Sequence, residues 1–248
     1  MRSPDGWRDT RNGACTRPGV TWQRIRIRFT TSMFLANRLP VAVRTAPFPL
    51  LVASGVLEPE DADRLRADFP RYGEAGFFPW KEADCGVAIN ALVAELTAPA
   101  VADLLGDRLG VERLSQYPPL VTLCRSLNSR HGGVHTDSQS KVVTALLYLN
   151  TAWPHGSAGS LRFLAQSTDI ASQVVPEVPP LYGNFVAFRR TGNSFHGHLP
   201  FQGERLAVQV AWLADAEAHA RKTRRGNTSR TFKKLLGGLD RWWKRRDA

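Results

Sequence analysis

Between Tyr117 and about residue 214 the chain is a succession of short runs rich in Val, Leu, Phe and Trp, separated by Gly, Asn, Ser and Pro. No other feature limits the fold as strongly. The runs at 120–127, 133–137, 142–149, 159–164, 184–190 and 205–213 read as strands, and their number and spacing suit a sandwich or barrel rather than a βαβ alternation. The stretch carries no repeat, phosphate loop or dinucleotide fingerprint.

The residues before it read as support. From Val41 to Val56 an apolar, β-branched run broken by Pro47 and Pro49 predicts an edge strand. Pro59 stands where a first helical residue would, Glu60 and Asp61 suit the positive end of the helix dipole, and Ala62, Leu65 and Phe69 recur at helical spacing up to Pro70. Ile89, Leu92, Val93 and Leu96 predict a second helix. Pro99 breaks that pattern, and Val101, Leu104, Leu105 and Leu109 resume it as far as Gly110. The expected layout is a basic arm over 1–32, a strand and helical support over 41–112, a β-core over 117–215 and a basic tail over 220–248.

Composition decides what the ends mean. With 248 residues the chain can form one core, and no stretch reaches the ~18–20 apolar residues of a membrane span. The net charge of +11 sits at the termini: seven Arg and two Asp in 1–32, eleven Lys/Arg and two Asp in 220–248, and 15 basic against 18 acidic residues between them. The middle is slightly acidic, so the basic character describes the tails and not the domain. The arm has no apolar run for a secretory signal; the expectation is that Met33 is the true start or that the arm is disordered, a transit peptide being the alternative. In the tail, Phe232, Leu235, Leu236, Leu239, Trp242 and Trp243 recur at helical spacing among Lys and Arg. Such a basic amphipathic helix docks on its own domain or contacts an anionic membrane surface or nucleic acid. Cys15, Cys85 and Cys124 are scattered and odd in number, which fits neither a disulfide framework nor a cysteine zinc site. The expected location is a reducing, cytoplasmic compartment, with peripheral membrane attachment through the tail as a further option.

Five of the six histidines fall between residues 131 and 198. In an extended strand His135 and Asp137 would share a face and could converge on one cation. Alone the triplet is weak, since roughly 0.3 such triplets arise by chance in this composition. A distant histidine must complete the set, and Ser194-Phe195-His196-Gly197-His198 offers two. Two imidazoles and a carboxylate on one face of an octahedron leave three adjacent positions open, and without thiolate they favour Fe(II) or Mn(II) over structural zinc. Arg205, nine residues after His196, could clamp a dicarboxylate through two parallel hydrogen bonds.

These blocks together, "GGVHTD", "VVTALLYLNTAW", "AGSLRFL", "PPLYGNFVAFRR" and "SFHGHLPFQGERLAVQVAW", resemble in order the Fe(II)- and 2-oxoglutarate-dependent dioxygenases, most closely their prolyl-hydroxylase-like branch. The resemblance runs from about Tyr117 to Leu213. It implies an α+β, mainly β fold: a double-stranded β-helix, or jelly roll, with supporting N-terminal helices. It further implies iron on His135, Asp137 and His196, the 2-oxoglutarate C5 carboxylate on Arg205 with help from Tyr148, and Thr144 and Leu161 lining that pocket. The implied reaction couples decarboxylation of 2-oxoglutarate to succinate and CO2 with C–H hydroxylation of a small-molecule or side-chain substrate, with ascorbate as an accessory reductant.

The sequence also departs from that pattern. Arg125 stands where the branch often has a Tyr, and Trp212, seven residues after Arg205, should face away from the site. His198 alternates with His196 on one side of the chain and competes for the metal; the Arg spacing favours His196, leaving His198 as a neighbouring or substrate contact. His131 and His155 sit in Gly- and Ser-rich loops and are expected to be solvated, and His219 lies beyond the domain. The rival reading is a non-catalytic β-domain whose basic tails do the binding.

Overall fold

The computed structural model describes residues 32–217 and Ala220. The Arg-rich arm, the amphipathic stretch of the tail and His219 lie outside the described residues.

The support region follows its local signals. Pro59 opens a 3-10 turn, Pro59–Asp61, that runs into α1 (Ala62–Asp68), where a missing N–H costs nothing. The apolar stretch after it divides at Pro99 into α2 (Val87–Leu96) and α3 (Pro99–Leu109). Asp68 caps α2 from outside the helix, its Oδ2 accepting from the Ala88 N–H at 2.7 Å. Gly110 ends α3 at φ 71°, a left-handed conformation that only glycine adopts without steric cost.

Eight strands follow the chain as β1 (Leu50–Ala53), β2 (Phe77–Pro79), β3 (Pro119–Leu127), β4 (Lys141–Tyr148), β5 (Arg162–Leu164), β6 (Phe185–Arg189), β7 (Phe195–Gly197) and β8 (Gly203–Leu213). Six make an antiparallel sheet in the order β1-β6-β4-β8-β3-β2, and β5 pairs with β7 in a second, small sheet. Of the 41–56 run only Leu50–Ala53 forms a strand, at the edge its flanking prolines predict, paired with β6 and joined on its other side by a single bridge from Leu50 to Arg44.

Period-2 alternation divides the core into two layers. Val143, Ala145, Leu147, Phe185, Ala187, Val208, Val210 and Trp212 face the helices and pack on Leu92, Leu96, Leu105 and Leu109. Leu146, Tyr148, Val186, Phe188, Ala207 and Cys124 face the other way, onto Leu161 and Phe163 of the small-sheet layer. Each fully buried Leu or Phe contributes about 1.5–3 kcal/mol, so both layers are substantial. Two antiparallel sheets face to face, with helices behind the larger one, make the expected jelly roll. Trp212 lies on the helix side, 1% exposed, opposite to Arg205 as its spacing predicts.

Two strand expectations need correction, and two strands are additional. Residues 133–137 form no strand; a single antiparallel bridge, His135 to His196, joins that segment to β7. The 159–164 run pairs as a strand only over Arg162–Leu164. Neither β7 nor β2 was anticipated, since Phe195–Gly197 and Phe77–Pro79 are too short for any periodicity to register.

Candidate metal centre

His135 and His196 sit directly opposite one another on neighbouring segments. The His135 N–H donates to His196 O at 3.0 Å and the His196 N–H to His135 O at 2.9 Å, so both side chains leave the backbone on the same face. Their ring centroids are 4.4 Å apart. Each imidazole is oriented from behind: His135 Nδ1 lies 2.8 Å from Gly133 O and His196 Nδ1 lies 3.0 Å from Ser194 O. A carbonyl only accepts, so each Nδ1 carries the proton and each Nε2 is left as a bare donor to a cation. Burial, against the attraction of Asp137, lowers the His196 pKa to about 4, which keeps that ring neutral at physiological pH.

Asp137 completes the cluster. One ligand atom from each of His135, Asp137 and His196 lies within 4.8 Å of the others, and among the described residues this is the group of His, Cys, Asp and Glu so arranged. The carboxylate is 7% exposed and held at both oxygens: Lys141 Nζ donates to Oδ1 at 2.7 Å and Thr144 Oγ1 to Oδ2 at 2.6 Å. Arg190 Nε donates to its backbone O at 3.2 Å. Burial by itself would raise the Asp137 pKa, but the charges of Lys141 and His196 and the two side-chain hydrogen bonds outweigh it and hold the carboxyl below its ordinary value.

In the inner layer that holds Tyr148, Arg205 is 2% exposed. Its Nε donates to Gly159 O and its Nη2 to Tyr148 Oη, both at 3.0 Å, and its guanidinium carbon lies 4.9 Å from the Tyr148 ring centroid. No carboxylate pairs with it among the described residues. A bulge on β8 helps to aim it, because Arg205 and Leu206 together oppose Arg125 between the Cys124–Ala207 and Ser126–Glu204 pairs. The freed Leu206 N–H is taken by Asn150 Oδ1 at 2.8 Å. A buried cation without a counter-ion is costly, and an anionic ligand would relieve that cost.

Residues 122–213, which carry all of these side chains, match the family model of the 2OG-Fe(II) oxygenase superfamily. The β-core is thus similar to the 2OG-Fe(II) oxygenase superfamily over these residues. No curated protein matches the chain. Similar solved structures include a Pseudomonas putida prolyl-4-hydroxylase, 19% identical over 66% of this chain and 92% of that one, with a TM-score of 0.47. A Trichoplax adhaerens prolyl hydroxylase, solved with a hypoxia inducible factor peptide fragment, is 16% identical over 76% and 91%, with a TM-score of 0.46. AviO1 from Streptomyces viridochromogenes is 17% identical over 73% and 94%, with a TM-score of 0.45.

The oxygenase family implies Fe(II) and 2-oxoglutarate, and the residues present fit both. Two oriented imidazole nitrogens and one ionised carboxylate are a donor set for Fe(II), and a buried guanidinium with no carboxylate partner among the described residues suits a dicarboxylate. Leu161 packs beside Tyr148 and Phe163 in the inner layer. Thr144 stands against the ligand cluster, its hydroxyl donating to Asp137. Lys141, which pairs with Asp137, was not among the expected site residues.

The competing histidines separate. His198 is outside the ligand cluster: its N–H donates to Gly132 O at 2.9 Å, its Nδ1 lies 2.8 Å from Leu199 O, and its ring covers the face of Gly132 where a Cβ would stand. Burial lowers its pKa to about 4. His131 turns back onto Asn128, and His155 is exposed against Trp153 and Phe201. Arg125 donates to Glu204 at 3.2 Å and to Phe69 O at 3.3 Å.

Proposed function

We propose that the protein is a hydroxylase that couples oxidative decarboxylation of 2-oxoglutarate, giving succinate and CO2, to insertion of oxygen into a C–H bond of a second substrate. The observation that carries this reading is the convergence of His135, Asp137 and His196, together with a buried guanidinium that has no carboxylate partner among the described residues. Fe(II), when bound there, supplies the activation of O2 by electron transfer. His135, Asp137 and His196 hold it, and their Nδ1 and Oδ2 hydrogen bonds keep the donor atoms aimed. Arg205 and Tyr148 bind the far carboxylate of 2-oxoglutarate and thereby set which end of it reaches the ligand cluster. Leu161, Phe163 and Phe188, all buried, limit water in the cavity. His135 is exposed, so the second substrate approaches from its side.

The test is succinate release from 2-oxoglutarate, with and without a panel of peptide and small-molecule substrates, after anaerobic loading with Fe(II). Asp137→Ala should abolish both metal binding and turnover. Turnover that survives this substitution would overturn the proposal.

A further inference from the structure

Asp137 has a cation before any metal arrives. The Lys141 ammonium sits 2.7 Å from Oδ1, with the two side chains only 12% and 8% exposed. It is the sole carboxylate of the proposed ligand set, and Lys141 neutralises it in a part of the molecule where water screens little. A donor atom of His196 lies within 4.8 Å of one of Asp137, so the ammonium seated on that carboxylate is near this imidazole as well. Lys141 therefore stands within electrostatic reach of two of the three ligands.

Asp137 does not need Lys141 to be oriented. Thr144 Oγ1 holds Oδ2 at 2.6 Å and Arg190 Nε holds the backbone O at 3.2 Å, and both contacts are independent of the ammonium. Lys141 thus adds charge to a carboxylate that other groups already fix. A divalent ion entering between His135, Asp137 and His196 must share that carboxylate with a cation already in contact with it, or displace the cation.

Resting on the reading of this cluster as a metal centre, we propose that Lys141 is a resident competitor for the metal, which lowers the affinity of the site for divalent cations. The consequence is a centre whose occupancy follows the free metal concentration over a range in which an unopposed site would already be full. Arg190, on the backbone side of Asp137, contributes a further positive charge that no metal displaces.

The experiment is anaerobic titration of the full chain with Mn(II), a redox-stable stand-in for Fe(II), followed by calorimetry or by the spin resonance signal of free Mn(II). Lys141→Met keeps the length and apolar stem of the side chain and removes the charge; it should bind Mn(II) at least tenfold more tightly than the wild type. Lys141→Arg keeps the charge and should stay within about threefold of the wild type. Equal or weaker binding by Lys141→Met would overturn the proposal and make Lys141 a tether that Asp137 requires. Asp137→Ala separates this from failure of the underlying reading: if the wild type binds Mn(II) no better than Asp137→Ala, there is no metal centre and the competitor role falls with it.

Discussion

Replacing Arg205 by Ala tests the anion-binding half of the site in isolation. Of the five N–H donors of a guanidinium, one is spent on Gly159 O and one on Tyr148 Oη, and the remaining donors form a fork suited to a carboxylate. Loss of a buried, charge-assisted pair of this kind costs about 2–5 kcal/mol, so the dissociation constant for 2-oxoglutarate should rise roughly 30- to 5,000-fold. The assay is thermal unfolding of Mn(II)-loaded protein against 2-oxoglutarate concentration. At 100 times its dissociation constant the ligand stabilises the wild type by about 2.7 kcal/mol, whereas a 30-fold weaker variant at the same concentration gains only about 0.9 kcal/mol. Mn(II) affinity should be unchanged, because Arg205 touches none of the three ligands. The substitution also removes a buried charge without a counter-ion, which offsets the hydrogen bonds lost from Tyr148 and Gly159, so the ligand-free protein should still fold. A variant that binds 2-oxoglutarate within threefold of the wild type would refute the assignment of the hook.

Three further outcomes follow from the geometry. Thr144→Val keeps the shape of the side chain and removes the donor to Asp137 Oδ2, so Mn(II) affinity should fall about 10- to 100-fold with little change in melting temperature; unchanged affinity would show that this hydrogen bond does not orient the ligand. Leu105→Ala opens a cavity between α3 and the helix face of the large sheet, where Leu105 is 1% exposed, and should cost about 2–5 kcal/mol of stability in denaturant titrations while leaving 2-oxoglutarate affinity intact. Burial raises the Cys124 thiol pKa to about 11 against the opposing pull of Arg205. Since the thiolate is the reactive form and is scarce below that pH, iodoacetamide at pH 8 should leave Cys124 unmodified in the folded protein and label it after unfolding, as mass spectrometry would read.

How far each element could be read in advance depended on whether its cause was local. Pro99, which opens α3, and Gly110, which closes it, act through their own backbone dihedrals and are visible wherever they occur. The strands β3, β4, β6 and β8 are runs of five residues or more with β-branched and aromatic side chains, enough for the pattern to stand out. The segment before Asp137 and the strand β7 hold few apolar residues; β7 exists because it pairs with β5, and a single bridge ties the segment before Asp137 to it, both contacts joining residues far apart in the chain. The roles of Thr144 and Lys141 were hidden for the same reason, since both depend on how the chain turns between Asp137 and β4. Arg125 could be named as a departure from its family branch, but its partner Glu204 is brought to it only by the register of β3 on β8.

The choice between His196 and His198, open on the sequence, is settled by register. Both side chains leave the same side of the chain, so alternation cannot separate them. Antiparallel pairing puts His196 directly across from His135, with both backbone hydrogen bonds exchanged, and this is what brings two imidazole rings to 4.4 Å. His198 falls instead opposite Gly132, which has no side chain to share a cation with, and its ring fills the space that glycine leaves. A slip of β7 by one residue would turn both histidines away from His135 and Asp137. The backbone bonds between 135 and 196, and the seat of His198 on Gly132, guard against that slip. The glycine and the second histidine thus serve the centre without joining it, by fixing the register in which His196 meets His135.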